Sequence, residues 1–286
     1  MLLPHFASSN FSSQSVWVNV LGGKTHLVIN QPTVGTESKG VIYFFHGHGD
    51  RADNHGDFFE KFSYQGFTVI GFDLPGHGDS EMGSLDKYSF EDFFAITAAV
   101  ISQTLKPGQP FYFVGWSFGG LIAYEYAQQL EKTNRPLPKK LVLWTPAFFG
   151  RPLPGKIGRA DLRLLTQNSL LHVSAPKPQY FMETPLFTLR LLAETMPYRW
   201  KNWDLKIPTM VLLSDDSFDY YVDPNKTLDF LKRGQSTPLI GKCDEAWHAL
   251  DFEPKIIQKQ VFSLTQDFLQ ERSPWTPFSE TLCHLM

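Results

Sequence analysis

Short apolar runs rich in β-branched and aromatic residues alternate along this chain with longer stretches of helical period. "VIYFFHG" (41–47) reads as a buried strand, followed by a polar loop and a helical stretch over 54–65. "FTVIGFD" (67–73) predicts the next strand, and Ser89 then stands as the N-cap of a helix whose Phe93, Ile96 and Val100 share one face. A strand at "FYFVGW" (111–116), a helix running through Leu130 and a strand at 140–146 continue the rhythm. It resumes with a strand at 209–214, a helix over 224–232 and a strand at 237–243. A last helix carries Ile257, Val261, Leu264 and Phe268 at four- and three-residue spacing. Strands that are apolar on both faces and separated by helices predict an α/β fold, a mostly parallel central sheet with helices on both faces. The beginning differs. "SVWVNVLGGKTHLVIN" predicts an antiparallel N-terminal hairpin turning at Gly22-Gly23.

The rhythm breaks between 148 and 203, where prolines are scattered and two amphipathic helical pieces fall near 160–171 and 184–196. A structureless loop of that length is rare inside a compact domain, so the segment is expected to be a helical cap (lid) inserted at the C-terminal edge of the sheet. The expected division is a core domain of residues 1–147 and 204–286 with a cap of 148–203.

Composition narrows the class. The chain has 286 residues, 42% of them hydrophobic and 25 of them Phe, ample for a large core. A net charge of -3 without a Lys/Arg stripe gives no purchase on phosphates, so no nucleic-acid partner is expected. Two cysteines, Cys243 and Cys283, are too few for a disulfide framework and suit thiols in a reducing compartment. No run of 18 apolar residues predicts a transmembrane segment, and the N-terminus lacks a signal-peptide pattern. These features lead to the expectation of a cytoplasmic protein.

Chemistry concentrates at "FVGWSFGGLIAYEYA" (113–127), where Gly115-Trp116-Ser117-Phe118-Gly119 fits G-x-S-x-G. A serine there can simply cap the following helix. An apolar strand before it and a helical pattern after it favour the other reading, a nucleophile on a strand-to-helix turn with glycines where side chains would clash. Acyl chemistry also needs backbone N–H groups aimed at the developing oxyanion. Phe118, which comes directly after the serine, is the first candidate donor, and His48 in "HGHGD" (46–50) is the second. The histidines of that loop have no acidic or thiol partner at ligand spacing, so no metal site is expected. His77, in the Gly-His-Gly turn of "DLPGHGDS" (73–80), is expected to bond nearby backbone rather than act as a base.

"VIYFFHGHGD", "GFTVIGFDLPGHGDS", "GWSFGG" and "LVLWTPA" together resemble the α/β-hydrolase superfamily. Within it the chain resembles the monoacylglycerol lipase and lysophospholipase group of serine hydrolases. The resemblance extends from about residue 40 to 270 outside the cap. It implies a triad in the order serine, acid, histidine, so the base must come from His172, His248 or His284. His248, in "EAWHALDFEP" with Glu253-Pro254 after it, occupies the family's base loop. For the acid, "SDDSFDYYVDP" departs from the family by about two extra residues. Its "DYYVDP" nevertheless matches the family pattern at Asp219, with Asp216 the alternative and Asp223 a helix N-cap.

The resemblance and the motifs together imply a serine esterase or lipase-type hydrolase that needs no cofactor. Ser117 is its nucleophile, His248 its base and Asp219 its acid. Apolar cap residues (Leu162, Leu164, Leu165, Leu170, Phe187, Leu189, Leu191 and Leu192), with Phe148, Phe149 and Trp116, are expected either to meet an acyl chain or to fasten the cap to the core. The expected substrate is a monoacyl lipid or other medium-chain ester, and the cap is the part expected to touch a membrane surface transiently. Rival readings are a peptidase, amidase or thioesterase of the same fold, or a non-catalytic binding protein.

Overall fold

The structure, a computed structural model, describes residues 11–151, 185–234, 236–272 and 282–286. Among the described residues the sheet has nine strands in the order β1-β2-β4-β3-β5-β6-β7-β8-β9. The strands β1 (Phe11–Val20) and β2 (Gly23–Pro32) form the expected hairpin. The turn residues are Leu21 and Gly22, both at positive φ (51° and 76°), so the turn lies one residue earlier than the glycine pair suggests. That backbone matches the right-handed twist of a hairpin. From β4 (Phe67–Phe72) through β3 (Gly40–Phe45), β5 (Phe111–Trp116), β6 (Leu141–Trp144), β7 (Thr209–Leu213) and β8 (Leu239–Cys243) all pairing is parallel.

Side-chain alternation along β3 divides the interior in two. Tyr43 and Phe45 point into one layer with Phe113, Leu121 and Ile122, packed under α2 (Phe90–Thr104) and α3 (Ser117–Lys132). Ile42 and Phe44 point into the other with Phe58, Phe62, Trp144 and Phe262, under α1 (Gly56–Tyr64) and α6 (Lys255–Leu269). Each fully buried Phe contributes about 1.5–3 kcal/mol relative to exposure, which is why these strands carry aromatics on both faces. α2 begins as expected: Ser89 Oγ accepts from Asp92 N–H while Asp92 accepts from the Ser89 N–H, a capping box. Asp223 caps α5 (Pro224–Leu231) through the Lys226 N–H at 2.9 Å.

Of the segment expected as a cap, residues 152–184 lie outside the described residues, and with them Leu162, Leu164, Leu165, Leu170 and His172. The second expected helix is α4 (Pro185–Thr195), followed by a helical turn at Met196–Arg199. Arg190 Nη1 of α4 donates to the Asp86 carbonyl at 2.5 Å, and the buried Tyr198 bonds Glu125 of α3 through its hydroxyl. Among the described residues no helix is long and apolar enough to cross a membrane.

The C-terminal end corrects one expectation. Cys283 opens an added antiparallel strand, β9 (Cys283–Leu285), which pairs with β8. Cys243 and Cys283 are directly opposed in that ladder, with Cα atoms 3.9 Å apart, and they form a disulfide rather than two thiols. The spacing of the two residues in sequence does not reveal this, because the short strand that brings them together carries no turn signal of its own.

Closing a loop across a sequence separation of 40 restricts the unfolded chain by about 4 kcal/mol in the chain-entropy view. Denatured protein is therefore expected to take up no iodoacetamide before reduction and two equivalents after it, with thermal unfolding several degrees lower once reduced. Alkylation of both cysteines without reductant contradicts the pairing.

Candidate active site

Ser117 lies where β5 stops and α3 starts, at φ +53°. A non-glycine residue in the left-handed region is strained, and here the surroundings impose it. A Cβ at Gly119 would come within 2.3 Å of the Phe45 and His46 carbonyl oxygens, and one at Gly115 within 2.8 Å of Gly119 O. The two glycines let strand and helix close on each other, and the serine between them is pushed out at the edge of the sheet. Ser117 does not cap α3. Its Oγ lies 2.7 Å from His248 Nε2.

His248 comes after β8, and its loop is fastened from several directions. Its backbone carbonyl accepts from the Trp116 indole at 2.9 Å and from Thr145 Oγ1 at 2.7 Å. Its Nδ1–H donates to Asp219 Oδ2 at 2.9 Å, which leaves Nε2 as the acceptor facing the serine hydroxyl. The Asp219 carboxylate also accepts from Ser214 Oγ (2.5 Å) and from the Tyr221 and Val222 N–H groups (2.9 and 3.0 Å). Burial opposes its charge, but His248 and these donors prevail and hold the carboxyl below its usual range. Asp216 is elsewhere. It pairs with Arg151 and accepts nothing from His248. The loop absorbs its extra residues in a turn in which the Phe218 and Asp219 N–H groups both bond the Asp215 carbonyl.

The loop after β3 approaches the serine from the other side. The His46 Nδ1–H donates to Gly47 O, and its Nε2 accepts from Leu74 N–H at 3.0 Å. Burial lowers its pKa, consistent with a neutral ring in both bonds. His77 behaves as expected for a backbone brace: its Nδ1–H donates to Pro75 O and its Nε2 accepts from Gly49 N–H at 3.0 Å. His48 and Phe118 are neighbours, their rings 6.3 Å apart and perpendicular.

Phe148 and Phe149, expected either to meet an acyl chain or to fasten the cap to the core, are packed inward. Phe148 is fully buried among Tyr124, Tyr198, Trp203 and Phe230, and Phe149 is set against Phe230. Trp116 has its ring 5.7 Å from that of His248. A second buried charge cluster, not expected from the sequence, lies nearby. His55 is held between Asp50 at 2.7 Å and Asp251, and all three are buried. Burial opposes the charge, yet the two carboxylates raise this imidazole to about 10, so it is an imidazolium with both N–H groups donating. Nearby Glu253 is pushed up to about 8, chiefly by burial. The only signal in the sequence is "HGHGDRADNH" itself, in which loop and turn residues conceal a contact between distant segments.

A doubly covered parallel sheet with a serine on a strand–helix elbow and a bonded histidine defines an α/β-hydrolase. The chain belongs to the family described as Hydrolase_4, serine aminopeptidase S33, which it matches over residues 36–180. Its fold is similar to that of a soluble variant of monoglyceride lipase from Saccharomyces cerevisiae in complex with a substrate analog. That likeness has a TM-score of 0.73 and covers 96% of this chain and 100% of the other at 17% identity. The monoacylglycerol lipase of Paleococcus ferrophilus gives 0.64 over 84% and 97% of the two chains at 20% identity. In sequence, 86 residues are 35% identical to the pimeloyl-[acyl-carrier protein] methyl ester esterase of Methylococcus capsulatus, covering 30% of each protein. Matches to five further curated relatives cover 27% or less of those proteins.

The buried imidazolium has a pH signature. His55 holds its proton more tightly folded than unfolded, so its stabilisation is complete below the ordinary histidine pKa of about 6.5. It is lost as pH rises toward about 10. Glu253, also raised, completes its own loss by about 8. Melting temperature is therefore expected to fall between about pH 8 and 10 more steeply in the parent than in His55→Gln. A parent curve parallel to that of the variant contradicts the charged ring.

Proposed function

We propose that this hydrolase cleaves carboxylic esters with Ser117 as nucleophile, His248 as general base and then acid, and Asp219 as the residue that fixes the imidazole. The reading is carried by the unbroken hydrogen-bonded series Ser117 Oγ, His248 Nε2, His248 Nδ1 and Asp219 Oδ2, at 2.7 and 2.9 Å. His248 takes the hydroxyl proton as Oγ attacks the carbonyl carbon and returns it to the leaving alcohol. Water then repeats the sequence on the acyl-enzyme. The Asp219 carboxylate keeps the proton on Nδ1 and balances the imidazolium that forms. Backbone N–H groups of Phe118 and His48 are the donors assigned to the oxyanion. All of these steps use the chain's own side chains and backbone.

For the substrate we favour a monoacyl lipid or a medium-chain ester. Support comes from α4 and the turn after it, where Leu189, Leu192 and Met196 recur at helical spacing and are 63%, 53% and 53% exposed, with Trp200 beyond them at 71%. An apolar stripe of this kind suits a segment that meets lipid, and it is consistent with 148–203 acting as a cap. A second reading is favoured by the family description, which names a serine aminopeptidase. The same triad would cleave an amide if the site accepted a peptide.

Asp219→Asn is expected to lower kcat by several orders of magnitude, by analogy with the roughly 10⁴-fold loss when a triad aspartate elsewhere is replaced. Asp216→Asn, which only breaks the pair with Arg151, is expected to stay within about twofold of the parent because a half-exposed ion pair outside the triad contributes little. The reverse pattern overturns the acid assignment. Across p-nitrophenyl esters of increasing acyl length, assayed below micelle-forming concentrations beside aminoacyl anilides, kcat/KM is expected to peak at about six to twelve carbons. Each added methylene contributes roughly 0.8 kcal/mol until the site is full. A maximum at the acetyl ester rejects the acyl-lipid reading, and faster anilide cleavage favours the peptidase.

A further inference from the structure

His55 joins two loops that come from distant parts of the chain. Asp50 belongs to the loop after β3, two residues beyond His48, and Asp251 belongs to the loop after β8, three residues beyond His248. The imidazole donates to both, from Nε2 to Asp50 Oδ2 at 2.7 Å and from Nδ1 to Asp251 Oδ2. Each end is anchored further. Asn54 Nδ2 donates to Asp50 at 2.6 Å, and Gln258 Nε2 of α6 donates to the Asp251 carbonyl at 2.6 Å. The ring itself is enclosed by Phe44, Phe252 and Trp116, at centroid distances of 4.4, 5.1 and 5.9 Å. Trp116 in turn holds the His248 carbonyl.

Stability alone is a poor reason to build such a cluster. Burying one imidazolium with two carboxylates costs desolvation, and well-packed apolar replacements of buried ion triads often fold as stably. What the cluster provides is a fixed separation between the loop of the assigned oxyanion donor His48 and the loop of His248. Hydrolysis requires the oxyanion donor at the carbonyl oxygen and the base at the attacking hydroxyl to serve one carbonyl group, and a displacement of about 1 Å can cost on the order of a hundredfold in rate.

We infer that His55, clamped between Asp50 and Asp251, is a positioning residue that locks the base-bearing loop against the oxyanion loop. The inference rests on the proposed ester hydrolysis by Ser117 and His248. His55 touches no reacting atom, so its loss acts on the chemical step and leaves binding of the acyl chain alone.

The test is kcat and KM for p-nitrophenyl octanoate, per active site titrated with a fluorophosphonate, in the parent, His55→Gln, Asp251→Asn and the double variant. Each single variant is expected to lose about ten- to a hundredfold in kcat with KM within about twofold. The double variant is expected to be no slower than the slower single one, since either change opens the same clamp. A kcat within twofold of the parent in His55→Gln, a rise in KM alone, or losses that multiply in the double variant would each overturn the positioning role. Asp251→Asn keeps shape and one acceptor oxygen, and it carries the test if His55→Gln does not fold. If neither variant yields titratable sites, the cluster belongs to folding and the inference falls. A parent that neither labels nor hydrolyses removes the functional reading itself, a result distinct from an active parent with unaffected variants.

Discussion

The backbone turn at Ser117 is the constraint on which the rest of the site depends. A serine at φ +53° costs on the order of 1–3 kcal/mol and persists only where its flanks are fixed. Here they are fixed by β5, paired on both sides in the parallel sheet, and by α3, buried along most of its length. The same close approach that demands glycine at 115 and 119 brings the helix start against the end of β3. Strain at one residue is thus maintained by the burial of two whole elements, and the hydroxyl emerges where the parallel strands end, the usual place for chemistry in open α/β sheets.

Around that turn the structure places charge where water is scarce and satisfies it. Asp219 has four donors, and Asp73 accepts from His26, Ala52 N–H and Asp79 N–H. His46 and His77 each commit both nitrogens to backbone. These bonds come almost entirely from loops at one edge of the sheet, and they tie those loops to one another and to the strands they follow. The disulfide works in the same direction, joining β9 to β8 five residues before His248.

Much of this was legible in the sequence, for identifiable reasons. Apolar strands, helix periods and the Ser89 and Asp223 caps are local signals, and outside the undescribed stretch 152–184, where the expected helix near 160–171 falls, each matched an element within a few residues. Ser117 and His248 were readable because a strand–turn–helix context and chain order restrict them. Asp219 needed the "DYYVDP" pattern, since counting from the strand fails where the loop carries extra residues. What was not legible depends on contacts between distant segments: the Cys243–Cys283 pairing through β9, and the His55 cluster spanning residues 50 to 251. Phe148 shows the same limit: its position after β6 left open whether it meets an acyl chain or fastens the cap to the core, and only the four aromatic neighbours from separate elements show how it packs.

Ester cleavage as proposed requires the strained serine to be the group that becomes acylated. The most direct measurement is peptide mapping by mass spectrometry after brief reaction with a fluorophosphonate, with protein unfolded in advance as the control. A single adduct is expected on Ser117 of the folded protein and none on the unfolded chain, because nucleophilicity there depends on His248 lying 2.7 Å away. An adduct on another residue, or equal labelling of folded and unfolded protein, would contradict it.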